Sequence, residues 1–109
     1  MIEDDALGAL AALAHPTRLA TFRTLIRHEP DGLSTGELVD KLALTQSTFS
    51  THLAVLVRAG LIRSEKRGRN LIQRADVSAL KALMVFLAKD CCQGSAELCE
   101  PLVAELTCC

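Results

Sequence analysis

"LTQSTFSTHLAVLVRAGLIRSEKRGRNLIQRA", Leu44 to Ala75, changes its periodicity halfway along. The first half places Phe49, Leu53, Leu56 and Val57 at helical spacing. It stops at Gly60, a residue suited to the position just past a helix end. In the second half "LIRSEK" and "NLIQRA" alternate around "RGRN". That pattern predicts a two-stranded hairpin, with Gly68 and Asn70 available for its turn.

Upstream, Ser34 and Glu37 form an S-x-x-E capping box ahead of a short helix, "TGELVDKL". Leu44 and Thr45 make a tight connection, with Thr45 as the next N-cap. Two short helices joined by a brief turn, the second with a polar first turn, form a helix-turn-helix pattern. Further upstream, "EDDALGALAALA" (Glu3 to Ala14) predicts a helix with Leu7, Leu10, Ala11 and Ala14 on one face. His15-Pro16 breaks it, and Pro16 suits the first turn of the next helix, which aligns Leu19, Phe22, Leu25 and Ile26. "EPDG" (Glu29 to Gly32) reads as a turn. Downstream, a last helix opens at Asp76 or Ser78 and aligns Val77, Leu80, Leu83, Met84 and Leu87. With no repeat, linker or low-complexity tract, residues 1–109 read as one winged helix-turn-helix domain. It is mainly α with a small β-hairpin, and a Cys-rich tail spans 91–109.

The formal net charge of -1 conceals a gradient. Thr45 to Ala75 holds six basic residues (Arg58, Arg63, Lys66, Arg67, Arg69, Arg74) against one acid, Glu65, while acids dominate both ends. A basic patch in a nearly neutral protein implies a polyanionic partner. No apolar run approaches the roughly 20 residues needed to span a bilayer, and the acidic start "MIEDDALGAL" is unlike a secretory signal. The expected location is cytoplasmic, with no membrane partner. A reducing compartment and an odd number of cysteines, five, argue against a disulfide framework. No acid/base pair or nucleophile constellation indicates an enzyme.

The recognition-helix pattern of Gln46, Ser50, His52, Leu53, Leu56, Gly60 and Leu61, together with "LAHPTRLATFRTL" (Leu13 to Leu25), resembles the ArsR/SmtB family of winged-helix metal-responsive repressors. The resemblance covers nearly the whole chain. It implies a homodimer packed through the first and last helices, operator binding in the apo state and release of DNA when metal binds. The chain lacks the C-x-C pair that the best-known arsenic sensors carry at the start of the helix here read as "TGELVDKL". Nor does the last helix hold the spaced Asp/His/Glu set of the zinc sensors. What resembles another arsenic-sensing subgroup is the Cys91-Cys92 pair after the last helix, followed by Cys99.

The residues themselves nominate the DNA contacts. N-terminal side chains of a helix in the major groove reach base edges, and here that turn offers Gln46, Ser47, Thr48, Ser50, Thr51 and His52. Gln pairs bidentately with adenine, whereas Ser and Thr are permissive. Ser47 and Thr48 read equally as solvated side chains, and His52 as a phosphate contact or a packed residue. Arg58 reads as a backbone contact or an ion pair. On the hairpin, Lys66, Arg67 and Arg69 would approach phosphates or the minor groove. The expected operator is an inverted-repeat duplex.

"KDCCQGSAELC" (Lys89 to Cys99) poses the effector question. A disulfide between neighbouring Cys91 and Cys92 would be strained. Zinc wants four ligands, so zinc, cadmium or lead would need Cys108 or Cys109 as auxiliaries. A redox switch or a metal carrier stays open as well, although Asp90, Glu97 and Glu100 oppose an activated thiolate. Thiolate-rich sites select soft ions, and trivalent arsenic or antimony takes three sulfurs: Cys91, Cys92 and Cys99. The expected effector is therefore As(III) or Sb(III), with no organic cofactor. A lone Cys in an apolar helix packs as a small hydrophobe, but all five cysteines here follow Asp90. His15 and His28 read as capping or solvated residues.

Overall fold

A computed structural model describes residues 1–89, 101 and 104–106. Its elements follow the order α1 (Glu3–Leu13), α2 (Pro16–Arg27), β1 (Leu33–Ser34), α3 (Thr35–Leu42), α4 (Gln46–Arg58), β2 (Ile62–Arg67), β3 (Asn70–Ala75) and α5 (Val77–Ala88). This is the expected winged helix-turn-helix, α3 and α4 being its paired helices and β2–β3 its wing.

Local chemistry accounts for most boundaries. Ser34 Oγ accepts from the Glu37 amide while the Glu37 carboxylate accepts from the Ser34 amide, at 3.1 and 2.9 Å. The capping box thus satisfies two of the orphan donors at the start of α3. His15 caps α2 through Nδ1, which accepts from the Thr17 amide at 3.1 Å, with Pro16 in the first turn. Asp76 caps α5, its carboxylate accepting from the Ala79 amide at 3.0 Å. Gly60 has φ +79°, as the residue just beyond the end of α4 requires. At the wing tip Arg67 pairs with Asn70, leaving Gly68-Arg69 as a two-residue loop. Gly68 alone has positive φ there, +62°, in keeping with a II′-type turn. Asn70 is therefore a strand residue rather than a turn residue.

One expectation needs correction. The sheet has three strands, not two, in the order β1-β3-β2, all antiparallel. Leu33 and Ser34 add a short edge to β3, because burying Leu33 at 6% exposure brings its backbone beside Gln73. On α1 the face expected from the sequence, Leu7, Leu10, Ala11 and Ala14, is the exposed one. Ala6, Ala9 and Ala12 pack inward, whereas Leu7 and Leu10 are 58% and 40% exposed. Small side chains let α1 lie close on the core, and the leucines are left on the outer face. The core itself centres on Phe49, Leu25, Leu38, Leu56, Leu61 and Ile62. On α5, Leu83 joins it, while Val85, Phe86 and Leu87 remain exposed.

Candidate nucleic-acid interface

Helix α4 buries Phe49 and Leu56 and so turns its polar face outward. Gln46, Ser47, Thr48, Ser50 and Thr51 are all exposed there. Thr45 occupies the N-cap position, yet no side chain caps the first turn. Its hydroxyl donates instead to Thr48 Oγ1 at 2.8 Å. The leading amides of α4 consequently keep the partial positive charge that favours a phosphate. Thr51 Oγ1 donates back to the Ser47 backbone carbonyl at 3.3 Å, leaving Gln46, Ser47 and Ser50 as the less committed polar side chains.

His52 is half-buried and resolves toward packing. Its ring lies 4.3 Å from that of His15, tilted by 36°. Arg18 Nη1 donates to His52 Nδ1 at 3.3 Å, and Arg18 Nε donates to the Ala12 carbonyl at 2.5 Å. One guanidinium thereby ties the end of α1 and the start of α2 to the recognition helix. Desolvation lowers the His52 pKa from its ordinary value, and His15 and Arg18 add to the effect. Arg18 belongs to the "HPTR" turn but its tie to α4 is non-local; sequence periodicity carries no sign of it.

The wing brings Lys66, Arg67 and Arg69 onto its exposed surface. They are not equivalent. Arg67 Nη2 contacts Glu65 at 2.8 Å, holding the Glu65 carboxyl below its usual range. Both groups are about half exposed, and such surface pairs are worth little, so Arg67 stays available to a phosphate. Arg74 is withdrawn from the basic patch. It pairs with Glu29 at 2.9 Å and Glu65 at 3.5 Å, which raises its already high pKa. Arg63 faces Asp76 at 3.9 Å. Lys66 and Arg69 are in none of the ion pairs among the described residues.

Gln73, fully buried on β3, sets the wing against the helices. Its carbonyl accepts from Ser64 Oγ on β2 at 2.5 Å, and its amide donates to Thr35 Oγ1 at the start of α3 at 3.2 Å. A groove of about 430 Å³ then runs between α4 (Ser50, Ala54, Val57, Arg58) and Leu71 of the wing. A helix with exposed polar side chains, flanked by a basic hairpin on a buried brace, can enter a major groove while the hairpin follows the backbone. Cys91, Cys92, Cys99, Cys108 and Cys109 lie outside the described residues. No described helix is long and apolar enough to cross a membrane.

Comparison with known proteins gives the same reading. Residues 13–65 match the family described as "Helix-turn-helix domain". The uncharacterized HTH-type transcriptional regulator YbzH of Bacillus subtilis is 41% identical over 56 residues; the match covers 51% of this chain and 56% of that protein, so the chain spans little more than half of that relative. The transcriptional activator HlyU of Vibrio cholerae is 34% identical over 90 residues, covering 83% of this chain and 81% of its own. The solved HlyU structure superposes with a TM-score of 0.66 at 32% identity, over 82% of this chain and 96% of that one. A crystal structure of an ArsR family transcriptional regulator superposes with a TM-score of 0.69 at 27% identity, over 83% of this chain and 90% of that one. With the geometry of α4 and the wing, these matches place the chain: it belongs to the ArsR family of winged helix-turn-helix, DNA-binding transcriptional regulators.

Proposed function

We propose that the protein is an arsenite- and antimonite-responsive repressor, a homodimer that holds an inverted-repeat operator without metalloid and releases it when Cys91, Cys92 and Cys99 bind As(III) or Sb(III). The observation that carries this reading is the placement of the thiols: all five cysteines follow Asp90, directly after α5. Three thiolates match the valence of a trivalent metalloid, and Gly94 lets the chain turn between the pair and Cys99. The exposed faces of α1 (Leu7, Leu10) and α5 (Val85, Phe86, Leu87) support dimerisation, since an apolar stripe of this kind calls for a cover. A ligand clamped at the end of α5 would then act on the spacing of the two α4 helices. That spacing must match half-sites about 34 Å apart, and coupling of this type typically amounts to about 1–3 kcal/mol.

A thiol-redox regulator is the second reading, favoured by one observation. HlyU, a relative at 32% identity over the superposed chains, is known as a structure in a reduced form. One experiment separates the two. Reduced protein on a fluorescent duplex from its own promoter region is titrated with arsenite and, separately, with diamide. Arsenite should release the duplex with one equivalent per chain and a rising sulfur–arsenic absorbance. Cys91→Ser, Cys92→Ser or Cys99→Ser should each keep DNA binding and lose that release, while replacing Cys108 and Cys109 changes little. Release by diamide alone, with arsenite inert, would establish the redox reading instead.

A further inference from the structure

Leu19, Arg23 and Arg27 succeed one another at i, i+4 and i+8 along the outer side of α2 and form one wall of an apolar cavity of about 340 Å³. Leu13 of α1, Phe22 and Ile26 of α2 and Leu80 of α5 line the rest. The volume falls within the roughly 300–1,000 Å³ typical of small-molecule sites. On the far side of the same wall is a second hollow of about 470 Å³, to which Lys41 and His28 contribute. His28 Nδ1 lies 2.8 Å from the Thr24 carbonyl, which only accepts, so that nitrogen carries its proton. Lys41, with Arg23 and Arg27, makes this side of the ridge positive as well. Among the described residues the ion pairs engage Arg63, Arg67 and Arg74, and none engages Arg23, Arg27 or Lys41. Arg27 makes one bond, from Nη2 to the neutral Thr24 hydroxyl at 3.3 Å.

We propose that this cavity binds a medium-chain organic carboxylate, with the alkyl chain among Leu13, Phe22, Ile26 and Leu80 and the head group on Arg23 and Arg27. Two features fix the ligand class. An apolar lining with no buried donor or acceptor to satisfy suits a saturated chain rather than a sugar or a base. Two guanidinium groups at its rim, without a carboxylate of their own, complement a planar carboxylate, which Arg receives bidentately. The positive field of Lys41 beyond the wall disfavours a cationic head and reinforces an anionic one. An occupant would touch α1, α2 and α5 together, the outer two being the helices with exposed apolar faces.

The full-length reduced protein is titrated calorimetrically with hexanoate, octanoate and decanoate below their micelle concentrations, and with decanol and acetate. Saturable binding is expected, tightening roughly fourfold for each added methylene until the cavity is full. Acetate should not bind measurably. Arg23→Gln with Arg27→Gln, both at exposed positions, should weaken decanoate at least tenfold and leave decanol unchanged. Circular dichroism checks that this variant folds. Absence of saturable decanoate binding overturns the proposal. Affinity independent of chain length, or an equal loss for decanoate and decanol in the variant, overturns it too.

Discussion

Arg74, near the end of β3, places its Nη2 2.9 Å from Glu29 Oε2 in the loop after α2, 45 residues earlier in the chain. The two side chains are only 23% and 17% exposed, and Arg74 Nε and Glu29 Oε1 are buried without a further partner. This pair ties the wing to the helical layer. Removing one partner leaves the other charge poorly solvated, the costlier way to break such a pair. Arg74→Met should therefore lower the melting temperature clearly more than Arg69→Ala on the same hairpin. The double variant Glu29→Gln, Arg74→Met should recover part of the loss. Thermal melts of the four proteins measure it, and equal effects for Arg74 and Arg69 would refute the tie.

Gly32 sits beside that pair with φ +73°. A Cβ there would lie 2.5 Å from the Gln73 carbonyl oxygen and 2.8 Å from Arg74 Cγ. The left-handed conformation alone costs a non-glycine residue about 1–3 kcal/mol. Gly32→Ala should destabilise by at least that amount, since the obstructing oxygen is backbone and does not swing away. By contrast Gly8, in α1 with nothing within 4 Å of its Cβ position, should tolerate Ala. Denaturant unfolding of both variants provides the comparison.

Protonation of His52 should loosen the recognition helix. Its Nδ1 accepts from Arg18, so the neutral ring belongs to the folded state, and desolvation first, then His15 and Arg18, lower its pKa. A base whose folded pKa is depressed binds fewer protons folded than unfolded, so stability rises with pH. The contribution is whole above the unfolded value near 6.5 and is lost as pH falls through the lower folded one. The melting temperature should drop as the pH falls below about 6.5, the ordinary His value. That slope should be shallower in His52→Gln; an unchanged slope would assign the titration elsewhere.

DNA binding should divide between α4 and the wing. Lys66→Ala and Arg69→Ala should weaken all duplexes alike and flatten the salt dependence by about 0.9 per lost phosphate contact. Gln46→Ala should instead change sequence preference, at about 1–3 kcal/mol for the base pair it reads. Anisotropy titrations at several salt concentrations distinguish the two, and a uniform loss from Gln46→Ala would remove it from base readout.

The capping box at Ser34 and Glu37, the Gly60 helix end and the Gly68 turn were legible because each depends on residues within a few positions of one another. Candidate contacts on α4 were legible for the same reason: the apolar positions Phe49 and Leu56 dictate which side faces out. What escaped was non-local. Leu33-Ser34 is too short to alternate, and only its pairing with β3 makes it a strand. Nothing in the sequence marks Gln73 as buried; only in the fold do Ser64 and Thr35 close around it. Arg74 counted toward the basic patch because its acid, Glu29, lies on the far side of two helices in sequence. The shared face of Leu7 and Leu10 was legible as well, although periodicity shows that a face exists and not which partner covers it.

The strand order β1-β3-β2 leaves the outer edge of β2 unpaired, and unpaired edges are templates on which another chain adds a strand. Along β2 every residue after Ile62 is exposed, and Arg63, Glu65, Lys66 and Arg67 supply charges of both signs. A second copy adding in register would stack like charges on one another. The composition of this hairpin thus guards against aggregation as well as meeting phosphates. Neutral apolar replacements chosen to abolish DNA binding would strip that guard, whereas exchanging Lys66 for Glu would remove the contact and leave the edge charged.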